Sequence, residues 1–255
     1  MKNNNLIFKF FILTAILFST AGYAQTVTIG SQVWASTNLN VSTYRNGDII
    51  PQVQDLTYLS ILKTGAWCYY NNDPSNGTIY GKLYNWYAVN DPRGLAPNGY
   101  HIPTDAEWTI LKDYLESGSR FGFENVSGTK MKSAKGWKST TSGGSKTCPN
   151  CSSWNSEYRK KVPCHTCKDS RYVSAPTVTK SGNGSNSIGF SGLPGGYCDS
   201  GSEYFSGIGA KGCWWSSSQW GDYHAWSRSI LNYAGVLFRD YTDKTNFLSV
   251  RCLRD

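Results

Sequence analysis

The sequence predicts an α+β domain in which two helices pack against short antiparallel strands joined by long loops. Three observations lead there. Ten Trp, 17 Tyr and 26 Gly beside two Met describe a loop-rich chain whose strands are pinned by aromatic side chains, unlike the composition of long helical bundles. Residues 104–115 carry a well-specified helix start. Apolar and polar residues alternate in short runs at 27–41, 225–231 and 234–239, the pattern of half-buried strands.

Residues 1–24 predict a signal peptide. Lys2 precedes an apolar run from Leu6 to Phe18, interrupted by Lys9 and Thr14, and Gly22-Tyr23-Ala24 offers small residues for cleavage after Ala24. The uninterrupted part is too short to span a bilayer comfortably, and no Cys follows it to carry a lipid. The expectation is export to the periplasm, cell surface or medium, with no transmembrane segment once the signal is removed. Residues 25–255 then form a single domain. They carry 23 basic and 17 acidic side chains, a surplus too thinly spread for a nucleic-acid site. The densest group, Arg159-Lys160-Lys161, reads as a solvated loop face.

Taken in order, Gly30-Ser31 divides the first alternating run into a hairpin, and Tyr44-Arg45-Asn46-Gly47-Asp48 supplies the next turn. Residues 55–63 read as a helical turn or two, and residues 65–70, GAWCYY, as a buried strand. Asn71 to Pro74 and Asn76-Gly77 are turn chemistry. Residues 80–89, YGKLYNWYAV, place Tyr80, Leu83, Tyr84 and Tyr87 on one helical face and predict the first helix. A loop marked by Pro92, Gly94, Pro97 and Gly99 delivers the chain to the second. There Thr104 is the N-cap with Glu107 at N3, so hydroxyl and carboxylate each satisfy a free backbone N–H. Trp108, Leu111 and Leu115 form one apolar stripe that must find a core. Residues 139–192 turn to Ser, Gly, Asn, Thr and Lys and read as an excursion, and Phe190 re-enters the core. The tail is dense in Gly and aromatics and ends in a strand-like FLSVRC.

Several of these segments carry a family resemblance. IPTDAEW, residues 102–108, is similar to the signature of formylglycine-generating-enzyme-type domains, a branch of the C-type-lectin-like fold. IGSQVWASTNL, YGKLYNWYAV, APNGYHIPTDAEW, GFSGLPGGY, WWSSS and LSVRCLRD together resemble, in order, the Fibrobacter succinogenes major paralogous domain family. The resemblance implies a C-type-lectin-like architecture. Formylglycine-generating enzymes work through copper held by two cysteines, one in an RCxxAR-like stretch. The corresponding residues 225–230 have Arg228 but no Cys, so a soft Cu(I) site is not expected. The iron site of the related sulfoxide synthases needs clustered histidines, and His101, His165 and His224 are widely separated. The calcium motifs of sugar-binding C-type lectins are missing as well.

Cys148-Pro-Asn-Cys151 and Cys164-His-Thr-Cys167 form two CxxC turns twelve residues apart, a spacing that presents four thiolates to one tetrahedral zinc. A structural zinc on Cys148, Cys151, Cys164 and Cys167 is the preferred reading, with two disulfides as its competitor in an exported protein. These turns lie in a Cys-rich insertion at about 145–171. Cys68, Cys198, Cys213 and Cys252 allow three connectivities, of which Cys198–Cys213 with Cys68–Cys252 is the one to test.

The richest aromatic cluster is Trp214, Trp215, Trp220, Tyr223, His224 and Trp226. The first two read as core residues facing opposite sides of a strand. Residues 218–226 read as an exposed loop in which Trp220, Tyr223, His224 and Trp226 stack on sugar rings or on a protein partner. Arg228 and Arg251 are expected to buttress the fold, and Glu107 to cap a helix rather than act as an acid. The functional expectation is an exported, non-enzymatic binding module for a glycan or a surface protein. An enzyme with an unrecognised metal or thiol site and a structural envelope protein are the alternatives.

Overall fold

The computed structural model describes residues 25–117, 126–147 and 172–255. An N-terminal hairpin, β1 (Thr26–Ile29) and β2 (Gln32–Ala35), turns at Gly30, whose φ of 61° supplies the left-handed backbone of a tight connection. Then come β3 (Trp67–Cys68), α1 (Pro74–Tyr80), β4 (Leu83–Asn85), α2 (Trp86–Val89), β5 (Tyr100–His101), α3 (Asp105–Glu116) and α4 (Ser127–Met131). β6 (Thr140–Thr147) and β7 (Tyr172–Lys180) pair with each other alone. The remainder is all strand: β8 (Gly195–Asp199), β9 (Tyr204–Ile208), β10 (Lys211–Trp220), β11 (His224–Leu231), β12 (Phe238–Asp243), β13 (Phe247–Leu248) and β14 (Leu253–Arg254).

This architecture corrects the expected two-helix, short-strand C-type-lectin-like domain. The described residues hold four α-helices and fourteen strands, β10 is ten residues long, and one sheet of eight strands runs β12-β11-β10-β8-β13-β4-β3 with β9 on β8. That sheet is mixed, because β10 lies parallel to β8 through Gly212 and Gly196. A second sheet is ordered β1-β2-β14-β5.

Residues 80–89, expected as one helix, are the end of α1, then β4, then α2. Asp73 caps α1 by accepting from Ser75 N at 2.8 Å. Gly81 stops it with φ 77°, and a Cβ there would meet Leu39 O at 2.7 Å. Asn85 starts the next helix, its Oδ1 accepting from Ala88 N at 3.1 Å and from Ala66 N at 3.0 Å. The spacing of Tyr80, Leu83, Tyr84 and Tyr87 imitates a helix, but a buried Asn that bonds two backbone amides decides otherwise.

The second expected helix is present as α3, with both halves of its capping box formed. Its buried Trp108 ring lies 4.7 Å from Trp34, 6.1 Å from Phe190 and 6.5 Å from Trp214, so four aromatics from α3, both sheets and a loop make one core. Arg251 is fully buried beside it. It donates to Ala35 O at 3.0 Å, Phe190 O at 2.6 Å and Asn38 Oδ1 at 2.9 Å, and burial pushes its pKa down to about 9.

Cys68, Cys198, Cys213 and Cys252 are all free, buried thiols, which overturns the expected disulfides. The reason is where the core places them. Cys213 and Cys252 belong to the cluster around Trp67 and Trp215, whereas Cys68 and Cys198 belong to a separate one with Leu83 and Phe247, so each expected pair is split between clusters. The Cys68 thiol is instead hydrogen-bonded to Cys198, and burial first, then that neighbour, raises its pKa.

Candidate functional site

Strands β10 and β11 form an antiparallel hairpin with Trp214 opposite Arg228 and Trp220 opposite His224. Strand β12 extends it with Trp226 opposite Tyr241 and Arg228 opposite Arg239. Partners in an antiparallel ladder project to the same side. Trp220, His224, Trp226, Arg228, Arg239, Tyr241 and Asp243 therefore share the side that carries α3. Cys213, Trp215, Ser227, Ser229, Asp240 and Thr242 share the other.

On the α3 side the aromatics form a row. The Trp220 and Trp226 rings are 4.7 Å apart, Trp220 and Tyr241 6.4 Å, and His224 meets Tyr241 edge-on at 5.4 Å. The Arg239 guanidinium lies 3.4 Å from the Trp226 ring centre, so Trp226 is held between a cation and Trp220. Trp220 is 49% exposed and Tyr241 60%, and both leave ring surface open to solvent. His224 Nε2 is 2.8 Å from Asp243 Oδ1 at the end of the row.

Two anchors fix this face. Asp105, at the start of α3, takes Arg228 at 2.7 Å on Oδ1 and Arg239 at 2.7 Å on Oδ2. At the turn, the buried Lys244 ammonium donates to Gly221 O at 3.1 Å and Asp222 O at 2.9 Å, and sits 4.7 Å over Trp86. Between Trp215 and Gln219 the ladder is broken by an irregularity, and the displaced backbone groups find other partners. Trp215 O accepts from the Trp108 indole at 3.3 Å, Ser216 O from the Trp86 indole at 3.0 Å, and Ser217 N donates to Pro103 O at 2.9 Å. The hairpin end is thereby locked to α2 and α3.

Three of the four residues singled out in the sequence, Trp220, His224 and Trp226, are thus brought together. Tyr223, 71% exposed in the turn, stands apart from the row. The expected loop at 218–226 is two strand ends and the turn between them. Sequence reasoning missed Tyr241, Arg239 and Asp243, which arrive from β12 by register. The one available signal was the alternation of FRDYTD, residues 238–243.

The opposite side of these strands borders a polar cleft of about 430 Å³. Tyr197 and Asp199 of β8, Lys211 and Cys213 of β10, Ser227 and Ser229 of β11, Asp240 of β12 and Asn246 all reach it, and His224, Tyr241 and Asp243 at the end of the row border it too. Ser229 donates to Asp240 Oδ2 at 2.6 Å, and the Ser227 and Thr242 hydroxyls bond at 2.8 Å. Burial pushes the Cys213 thiol up to about 11, so it is protonated at neutral pH and is a poor nucleophile there.

Among the described residues no group of three or more His, Cys, Asp or Glu is placed to hold a metal ion, which corrects the expectation of a structural zinc. Cys148, Cys151, Cys164 and Cys167, the ligands named for it, lie outside the described residues. No helix among the described residues is long and apolar enough to cross a membrane. A family model described as the Fibrobacter succinogenes major domain matches residues 27–254. No curated protein and no solved structure matches the chain.

Proposed function

The chain belongs to the Fibrobacter succinogenes major domain family, and from that premise we propose that it is an exported, non-catalytic binding module whose β10–β11–β12 face takes up a glycan. The observation that carries this reading is the row of Trp220, Trp226 and Tyr241. Sugar rings present C–H faces that stack on aromatic rings, and a row held by packing presents those rings with little conformational entropy to lose on binding. His224 and Asp243 at the end of the row add polar contacts for ring hydroxyls, the usual complement to stacking.

Export rests on the signal-like residues 1–24. The non-catalytic part of the reading is supported by the protonated Cys213, which does not favour the alternative of a thiol enzyme. The test is a glycan array with the wild-type protein and the Trp220→Ala and Tyr241→Ala variants. Binding that falls in both variants is the expected result. A glycan signal unchanged in both, or no glycan signal beside capture of a defined surface protein, overturns it.

A further inference from the structure

The cleft bordered by β10, β11 and β12 shares His224, Tyr241 and Asp243 with the end of the aromatic row but not Trp220 or Trp226, and its polar lining is that of a small-ligand site. Its volume of about 430 Å³ lies within the roughly 300–1,000 Å³ usual for such sites. One wall carries an amide donor on a side chain held in place by its neighbours. Asn246 is 8% exposed, and its Oδ1 is fixed by Ser200 N and Ser200 Oγ, both at 2.8 Å. That leaves the amide nitrogen without a protein partner on a residue that lines the cleft. The nitrogen is open to the solvent of the cleft rather than sealed in the core, so it is free to donate to a ligand there.

A second donor stands on β10. Lys211 lies 4.9 Å over the Tyr197 ring and makes no ion pair with any carboxylate among the described residues. Acceptors face these donors. Asp199 is oriented by Gly201 N at 2.9 Å and Ser202 N at 3.0 Å, both on Oδ1, so Oδ2 is spare. Asp240 commits only Oδ2, to Ser229.

We propose that this cleft binds one uncharged polyhydroxylated ring of hexose size, with hydroxyls donating to Asp199 and Asp240 and accepting from Lys211 and Asn246. A hydroxyl both donates and accepts, so adjacent hydroxyls on a ring match a site in which carboxylates and N–H donors converge. Three carboxylates, Asp199, Asp240 and Asp243, against the single ammonium of Lys211 disfavour phosphate, sulfate and acidic sugars. The inference goes beyond the aromatic row and does not depend on stacking at Trp220 or Trp226.

The test is saturation-transfer NMR and calorimetry with free D-glucose, D-galactose and D-mannose, and with inorganic phosphate as the anionic probe. The proteins are wild type, Asp240→Asn, Lys211→Met and Trp220→Ala, each checked by its amide spectrum and melting curve. At least one hexose binds wild type, binding weakens tenfold or more in whichever of Asp240→Asn and Lys211→Met keep the native spectrum, Trp220→Ala binds as wild type, and phosphate does not compete. Absence of binding by all three hexoses overturns the proposal, as does binding that survives in a folded cleft variant, is lost in Trp220→Ala, or is displaced by phosphate. Because Trp220 belongs to the row and does not line the cleft, while Asp240 and Lys211 line the cleft and lie outside the row, either assignment can fail alone.

Discussion

Asp105 Oδ1 lies 2.7 Å from Nη1 of Arg228, a side chain only 1% exposed, and this pair fastens the first turn of α3 to the middle of β11. Burial alone would raise the Asp105 carboxyl, but the hydrogen bonds and charges of Arg239 and Arg228 outweigh it and hold the pKa below the usual value. Removing the carboxylate strands a buried guanidinium. Asp105→Ala is expected to lower stability by about 3–5 kcal/mol, the cost of an orphaned buried charge. Urea unfolding of Asp105→Ala, Arg228→Met and the double variant checks this, since the double variant should lose less than the two singles together. Strict additivity would refute the coupling.

The same carboxylate acts on the aromatic row through Arg239, which stacks on Trp226. Trp220→Ala and Tyr241→Ala, which remove exposed ring surface, are expected to weaken glycan binding about tenfold each, or ~1.4 kcal/mol. Asp105→Asn should weaken it less, because it disturbs only the support of Trp226. Calorimetry on the glycan selected by the array decides the order, and an Asp105→Asn loss as large as that of Trp220→Ala would contradict it.

Lys244 organises the turn without belonging to the row. Its ammonium donates to two turn carbonyls, so Lys244→Met removes two charge-assisted hydrogen bonds and should cost about 1–3 kcal/mol. The amide signals of residues 221–223 should broaden or shift while those of α3 stay in place. Unchanged turn signals would mean that Lys244 does not hold the turn.

His101 gives the molecule a pH dependence at its C-terminal strand. Its Nδ1 is 2.8 Å from Asp255 Oδ1 and its Nε2 2.9 Å from Glu107 Oε1. Burial opposes the charged form, yet hydrogen bonds to Asp255 and Glu107 outweigh it and raise the pKa above 6.5. A raised folded pKa contributes stability that is complete below 6.5 and is lost as pH rises through the folded value. Glu107 moves the other way. Burial opposes its ionisation, but Thr104 and His101 lower its pKa below 4.5, so its contribution is present above 4.5 and fades as pH falls through the folded value. Urea midpoints in buffers from pH 5 to 8 should therefore fall more steeply in wild type than in His101→Gln, and equal slopes would refute the assignment.

The four described cysteines make a chemical prediction. In the native protein Cys68, Cys198, Cys213 and Cys252 should resist alkylation, and in denaturant without reductant all four should react, as mapped by mass spectrometry. Any of them found oxidised in freshly folded protein would contradict the free-thiol arrangement.

What the sequence discloses follows the range of the interaction involved. The α3 start was legible because Thr104, Glu107 and Trp108 make their capping and stripe pattern within one turn. The first hairpin was legible because Gly30-Ser31 fixes its register locally. The misreading of 80–89 came from tertiary bonds, since Asn85 reaches Ala66 and the chain at Gly81 is pressed against Leu39. Site residues split the same way. Trp220, His224 and Trp226 stand within one short segment and could be named, whereas Tyr241 and Arg239 join them through strand register, which no local pattern records. The cleft was invisible for the same reason, its walls coming from β8, β10, β11, β12 and Asn246.

The order β1-β2-β14-β5 has a consequence in time. Leu253 of β14 pairs with both Trp34 of β2 and His101 of β5, so the strand that joins the two is synthesised long after either of them. Until it arrives, β2 has an open edge, and Trp34 waits for a partner from far downstream in the chain. Such distant closures slow folding more than they weaken the finished structure. The β1–β2 hairpin is made early and sheltered late.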